Sequence, residues 1–158
     1  MTRTYAFVDQ LLTKNQTAFI ETYPFQSPVR NILKMLGTEA DCTAYFRRFA
    51  DAVEPVLPLL VYFDHPNWKD RIYKVAEERG ESFNSVFFDA FYRSPFGMKY
   101  RITTPDGVVG FYELYLEVCE TLIRAWPFRI LRFNPIAEGE TATINRILHE
   151  TGITSQSL

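Results

Sequence analysis

Three cations lie close together in the stretch RSPFGMKYR. Arg93, Lys99 and Arg101 share it with a proline and a glycine, which are typical of a loop. A mobile cationic loop is suited to cover phosphate groups and to exclude water from them. The stretch therefore predicts a phosphate-covering lid, and Arg79, at the end of the preceding predicted helix, is a candidate fourth contact. The alternative is a solvated basic loop, with Arg79 placed favourably at a helix C-terminus.

The cysteines and histidines form no pattern typical of a reactive or metal-binding centre. Cys42 and Cys119 have neither CxxC nor zinc spacing, which indicates two reduced thiols packed as small hydrophobic residues. His65 and His149 lie far apart and indicate no catalytic triad. Asp64 beside His65 could act as a base or a metal ligand, but an Asp two positions before a proline is typical of a helix cap.

The composition is that of an ordinary folded domain. The chain has 158 residues, of which 47% are hydrophobic and 23% charged, so we expect one domain over residues 1–158. An aromatic content of 16% excludes intrinsic disorder, and a net charge of -2 argues against binding to duplex nucleic acid. The longest apolar run, Val56–Phe63, is too short to span a membrane. We found no secretory leader pattern, and the few cysteines favour a cytoplasmic protein.

Three segments have the pattern of strands, and each would place polar residues at its end. They are Thr17–Glu21, Leu57–Phe63 and Phe128–Phe133. The second is apolar on both faces, which suits a central strand of a parallel sheet covered by helices, whereas the two arginines of the third favour an edge position. Ligands bind at the carboxyl ends of such strands, which Glu21, Asp64 and Asn134 mark in this sequence.

Helical patterns separate these strands. Thr38 and Asp41 form a capping-box-like start for a helix that Pro55 ends, and the clearest amphipathic pattern runs from Val108 to Trp126. Other helices are predicted over residues 5–12, from Pro66 to Gly80, over 82–92 and over 141–151. The alternation predicts an α/β fold with three layers, a mostly parallel sheet and right-handed helical crossovers. The connection over residues 64–127 is longer than one helix needs, which predicts a helical, lid-like insertion between the second and third strands.

In their order, these segments resemble a known family. The stretches TAFIETYPFQSPVRNIL, EPVLPLLVYFDHPNWKDRIYKVAEERG, FYRSPFGMKYR, GVVGFYELYLEVCETLI and FRILRFN look like the later part of a P-loop NTPase of the nucleoside-phosphate-kinase-like group, over about residues 17–150. The resemblance implies an ATP- or GTP-dependent phosphotransferase or NTPase that uses Mg²⁺. It also implies that Glu21 positions Mg²⁺ or an attacking water, and that Arg79, Arg93, Lys99 and Arg101 bind nucleotide phosphates.

The motif that defines this family, GxxxxGK[ST], is absent, because none of the seven glycines precedes a lysine. We therefore expect a truncated or degenerate member that lacks the first strand, the phosphate loop and the first helix, and that is an enzyme only if the loop is supplied upstream. The expected ligand is a nucleotide or a small phosphorylated compound, and no membrane partner is expected. A second hypothesis is a non-catalytic interaction module that dimerises through exposed sheet surface. A third is an unrelated α/β domain that binds an apolar ligand among the aromatic residues 83–92.

Overall fold

The computed structural model describes residues 2–21, 24–64 and 66–152. Helices account for 72% of the structure and strands for 5%. The elements are, in order, α1 (Thr2–Lys14), a π-helical turn (Phe25–Val29), α2 (Arg30–Lys34), α3 (Glu39–Val53), a 3₁₀ turn (Glu54–Val56), β1 (Leu60–Phe63), α4 (Trp68–Tyr92), α5 (Pro95–Lys99), α6 (Pro105–Arg124), β2 (Ile130–Phe133), α7 (Pro135–Glu138) and α8 (Glu140–Thr151). None of the described helices combines the length and the hydropathy needed to cross a bilayer.

The two strands pair in parallel, with Leu60 opposite Ile130 and Phe63 opposite Phe133. The Leu60 amide donates to the carbonyl of Arg129 at 3.0 Å, and the Asp64 amide donates to the carbonyl of Phe133 at 2.7 Å. The second and third predicted strands therefore exist, although each is shorter than its sequence pattern. Helices α4, α5 and α6 form the connection between them.

The prediction of a three-layer α/β sandwich is wrong, because the described part of the chain is mostly helical and its sheet has only two strands. The first predicted strand, Thr17–Glu21, is an irregular segment in which every residue is exposed. Phe19 is 66% exposed and Ile20 is 53% exposed. A β-branched and aromatic composition favours a strand only where a neighbouring strand and a covering layer bury the side chains, and this segment has neither.

Local start and stop signals are confirmed at several helix ends. The Thr38 amide donates to the Asp41 carboxylate at 2.7 Å, and the Asp41 amide donates to the Thr38 hydroxyl at 3.2 Å, which completes the capping box of α3. Thr104 caps α6, whose range closely matches the predicted amphipathic helix. Inside α4, Gly80 has φ 73° and ψ -177°, so the helical path is interrupted where the sequence predicts one helix to end and another to begin.

The core lies between α3, α4, α6 and one face of the sheet. Aromatic rings dominate it: Phe46 is 5.1 Å from Trp126, and Phe91 is 4.8 Å from Phe111 between ring centroids. Tyr62 and Ile130 pack on this core from the sheet. On the opposite face Leu131 and Phe133 are also buried, and Arg146 of α8 lies 4.7 Å from the Phe133 ring. The helices between the two strands therefore build the core and are not an appendage to it.

Candidate functional site

The predicted lid folds into a tight helical corner. Ser94, which is 7% exposed, donates from its hydroxyl to the Phe91 carbonyl at 2.6 Å and accepts from the Gly97 amide at 3.1 Å. Pro95 occupies the first turn of α5, where a backbone amide has no partner within the helix, so the missing amide hydrogen of proline costs no hydrogen bond. The sequence SPFG thus lies at the junction where α4 ends and α5 begins, so the prediction of an irregular loop is wrong over residues 95–99.

Helix α2 packs against α5 and brings two more cations to this corner. Arg30 and Lys34 are four residues apart on α2, so they lie on the same helix face, where like charges repel each other. The Lys34 ammonium lies 5.3 Å from the centroid of the Phe91 ring, next to the end of α4. This contact places a partly buried cation over an aromatic face, a favourable arrangement for an ammonium group.

Among the residues that the structure describes, Lys34 and Arg30 have no ion-pair partner. Burial, and next the positive charge of Arg30, lower the pKa of Lys34 below its ordinary value of 10.5. The Nε atom of Arg30 is buried and has no hydrogen-bond partner within the described residues. An uncompensated cation pair of this kind is stabilised by any anion that reaches it, because the anion supplies the missing charge.

Three of the sequence-predicted site residues lie at the same corner. Arg93 is exposed and pairs with Asp89 at 3.4 Å, one turn earlier in α4. Lys99 ends α5, with its ammonium 5.3 Å from the ring centroid of the exposed Tyr100. Arg101 follows with φ 53°, a left-handed conformation that few non-glycine residues adopt.

We call the five residues Arg30, Lys34, Arg93, Lys99 and Arg101 the cationic surface. Within the described ranges, all of them except Arg93 lack an ion-pair partner. The surface can hold an anion by charge and by hydrogen bonds from ammonium and guanidinium groups.

The structure does not bring the other two predicted site residues to this surface. Arg79 packs its guanidinium 4.9 Å from the Phe83 ring, and the second part of α4, a span of roughly 18 Å, separates it from Arg93. Glu21 lies in the exposed irregular segment that replaces the first predicted strand, so it does not end a strand. No group of three or more histidine, cysteine or acidic residues in the described ranges is placed to hold a metal ion.

The carboxyl ends of the two strands carry a charge cluster instead of a ligand site. The Arg132 guanidinium bonds the Asp64 carboxylate through Nε at 3.1 Å and through Nη2, and the Glu120 carboxylate at 2.8 and 3.1 Å. It also lies 5.3 Å from the centroid of the Tyr62 ring. The hydrogen bonds that Arg132 donates to Asp64 and Glu120 raise the pKa of Arg132. Asn134, at the end of β2, accepts from the Ala137 amide and caps α7.

An open groove of about 500 Å³ lies beside this cluster, on the outer face of α6. Trp68 of α4 lines one side of the groove, and Glu113, Glu117 and Glu120 of α6 line the other. Lys69 pairs with Glu113 at its edge. The groove is acidic, so it does not suit the phosphate ligand that the sequence predicts.

The two thiols are buried, as predicted. Burial raises the pKa of Cys42 to about 11 and that of Cys119 to about 12, so neither is a reactive thiolate at neutral pH. His149 is exposed in the last turn of α8, and the prediction for His65 lies outside the described residues. These positions therefore add no reactive group to the cationic surface.

Sequence reasoning missed Arg30 and Lys34. The available signal was their i, i+4 spacing in PVRNILK, but no helix was predicted there.

Comparisons with protein-family models, with curated proteins and with solved structures found no match to this chain.

Proposed function

We propose that this protein binds a phosphate-bearing small molecule, with its anionic group on the cationic surface. The observation that carries the proposal is the uncompensated pair Arg30 and Lys34, one helical turn apart, with the pKa of Lys34 lowered by burial and by its neighbour. Two cations held together without counter-charge are costly to the isolated protein, and a phosphate removes that cost.

A nucleotide is the form of phosphate that the surroundings favour. Tyr100 is 56% exposed and Met98 is 63% exposed, and both flank Lys99. The Tyr100 ring is backed by Phe96 at 4.5 Å between centroids, which holds it in place. An exposed, supported aromatic ring beside cations suits a base that stacks while its phosphates meet the charges. The proposal is one of binding alone.

Isothermal titration calorimetry with ADP, pyrophosphate and adenosine tests this proposal. We expect ADP to bind with a dissociation constant on the order of 0.1 mM, pyrophosphate to bind more weakly and adenosine to bind least. Added salt should weaken ADP binding, since the contacts are partly exposed charges. Binding should also weaken as the pH rises through the pKa of Lys34, below 10.5, because only the ammonium form attracts the phosphate.

Charge-removing variants locate the site. Lys34→Gln and Arg30→Gln should each weaken ADP binding about fivefold, corresponding to about 1 kcal/mol for a partly exposed charge-assisted contact. Arg124→Gln is the matched control, since Arg124 is an exposed helical arginine that lines the acidic groove. Absence of ADP binding at millimolar concentration overturns the proposal. Binding that Lys34→Gln and Arg30→Gln leave unchanged, or that Arg124→Gln reduces equally, also contradicts it.

A further inference from the structure

A second surface, separate from the cationic surface, lies where α1 meets the 3₁₀ turn before β1. A groove of about 260 Å³ runs between Leu12, Asn15 and Gln16 on one side and Pro55, Val56 and Leu57 on the other. We call it the α1 groove. Leu12 is 52% exposed and Leu57 is 76% exposed, so exposed apolar side chains line both edges of the groove.

The irregular segment that follows α1 continues this apolar surface. Phe19 is 66% exposed and Ile20 is 53% exposed. The Cα atom of Phe19 lies no more than about 11 Å from that of Gln16, since the two residues are three positions apart. On α1 itself Tyr5 is 50% exposed and lies seven residues before Leu12, on the same helix face. Exposed apolar side chains therefore extend from α1 across the groove.

At the edge of the groove, Leu57 has an unusual backbone conformation. Leu57 has φ 45° and ψ 62°, in the left-handed region that bulky residues rarely adopt. Its amide donates to the Glu54 carbonyl at 3.0 Å and closes the 3₁₀ turn, where glycine or asparagine would be the relaxed choice. Leu57 thus exposes an apolar side chain to solvent in a backbone conformation that asparagine or glycine would adopt with less strain.

We propose that a second copy of this chain covers the α1 groove and the adjacent Phe19 and Ile20, in a symmetric dimer. In a two-fold interface each patch meets itself, so opposite charges on one patch can pair across the symmetry axis. Lys14 at the end of α1 is basic, and Glu21 and Glu54 beside the patch are acidic, which allows Lys14 of one copy to face an acid of its partner. The same acids, and a chain charge of -2, disfavour an anionic membrane surface as the occupant.

The area available sets the strength of this dimer. The exposed parts of Tyr5, Leu12, Phe19, Ile20 and Leu57 amount to about three fully exposed apolar side chains, or about 500 Å² per copy. A stable interface buries roughly 800 Å² per partner, so the dimer should be weak and reversible. We expect a dissociation constant on the order of 10–100 μM.

Sedimentation velocity of the full chain over a range of concentrations, without nucleotide, tests the dimer independently of phosphate binding. The wild type should shift from monomer to dimer as its concentration rises. Leu57→Asn and Phe19→Ser should each weaken dimerisation at least about tenfold, because each removes a large apolar side chain from the patch. Asparagine tolerates the left-handed backbone, so Leu57→Asn should fold, and circular dichroism with a thermal melt checks this.

Leu36→Asn is the matched control. Leu36 also has a positive φ, 66°, and is 40% exposed, but it follows α2 and does not line the α1 groove. Its substitution should leave dimerisation unchanged. A wild type that stays monomeric to millimolar concentration overturns the proposal. So does a dimer that Leu57→Asn and Phe19→Ser do not weaken, or one that Leu36→Asn weakens to the same degree.

Discussion

Replacing Gly97 by alanine should strongly destabilise the protein, because the corner between α4 and α5 has no room for a methyl group. A Cβ atom at Gly97 would lie 2.8 Å from the Tyr92 carbonyl oxygen and closer still to the Phe91 carbonyl oxygen. Both obstacles are backbone atoms, so no side chain can rotate to make space. Helix α5 would have to move away from the end of α4, and Ser94 would lose its bond to the Gly97 amide.

The expected loss has two parts. Relieving a backbone clash in a packed region costs typically about 1–3 kcal/mol. Opening the buried Ser94 cap costs a further 1 kcal/mol or so, as other lost helix caps do. We therefore expect Gly97→Ala to lower the free energy of unfolding by about 3 kcal/mol. For a chain of this length that corresponds to a fall in Tm of about 10 °C.

Gly110→Ala is the matched control for this substitution. Gly110 lies inside α6, is exposed, and nothing comes within 4 Å of a Cβ atom placed there. Alanine is a better helix former than glycine by about 1 kcal/mol, so Gly110→Ala should raise the Tm by roughly 3 °C. The same chemical change should thus have opposite effects at the two positions.

Urea denaturation followed by circular dichroism, together with a thermal melt, measures both variants. If Gly97→Ala is neutral or stabilising, the close packing of α5 on α4 is wrong. If both variants lower the stability equally, the explanation by steric clash fails, since only one of the two sites is crowded.

Two further predictions concern charged contacts. A double-mutant cycle of Arg132→Gln and Asp64→Asn, measured by urea denaturation, should give a coupling energy of about 1 kcal/mol. The coupling is modest because both side chains are more than one third exposed. A coupling energy of zero would contradict the contact between Arg132 and Asp64. Hydrogen bonds from the Thr38 amide and hydroxyl lower the pKa of the Asp41 carboxyl below 3.8. The contribution of this cap to folding stability is therefore present above pH 3.8 and is lost as the pH falls through the lowered pKa. Thr38→Val should reduce that loss in melts recorded across acidic pH, and an unchanged pH dependence would show that the cap does not cause it.

The helix ends were predictable because their signals are local. Thr38 with Asp41, and the glycine at position 80, act through hydrogen bonds and backbone angles within a few residues. Both strands of the described sheet were also predictable, since each lies in a segment with a strand-like pattern and Leu60–Phe63 lies in the most apolar run of the chain. These features depend little on what the rest of the molecule does.

The first predicted strand shows where such reasoning stops. Thr17–Glu21 has strand-like residues, but a strand forms only when another strand supplies hydrogen bonds along its edge. The same limit applied to the lid: RSPFGMKYR contains loop-forming residues, yet the burial of Ser94 and Gly97 against α4 makes residues 95–99 a helix. In both cases a neighbour in space decided the outcome.

The candidate site divides in the same way. The clustering of Arg93, Lys99 and Arg101 was evident from their spacing in one short stretch. That Arg30 and Lys34 join their corner follows only from the packing of α2 on α5, because those helices are distant in sequence. The amino-acid sequence determined where helices start and stop and which charges the chain carries. The tertiary structure determined which charges share a surface and which apolar side chains remain uncovered, since both depend on contacts between distant parts of the chain.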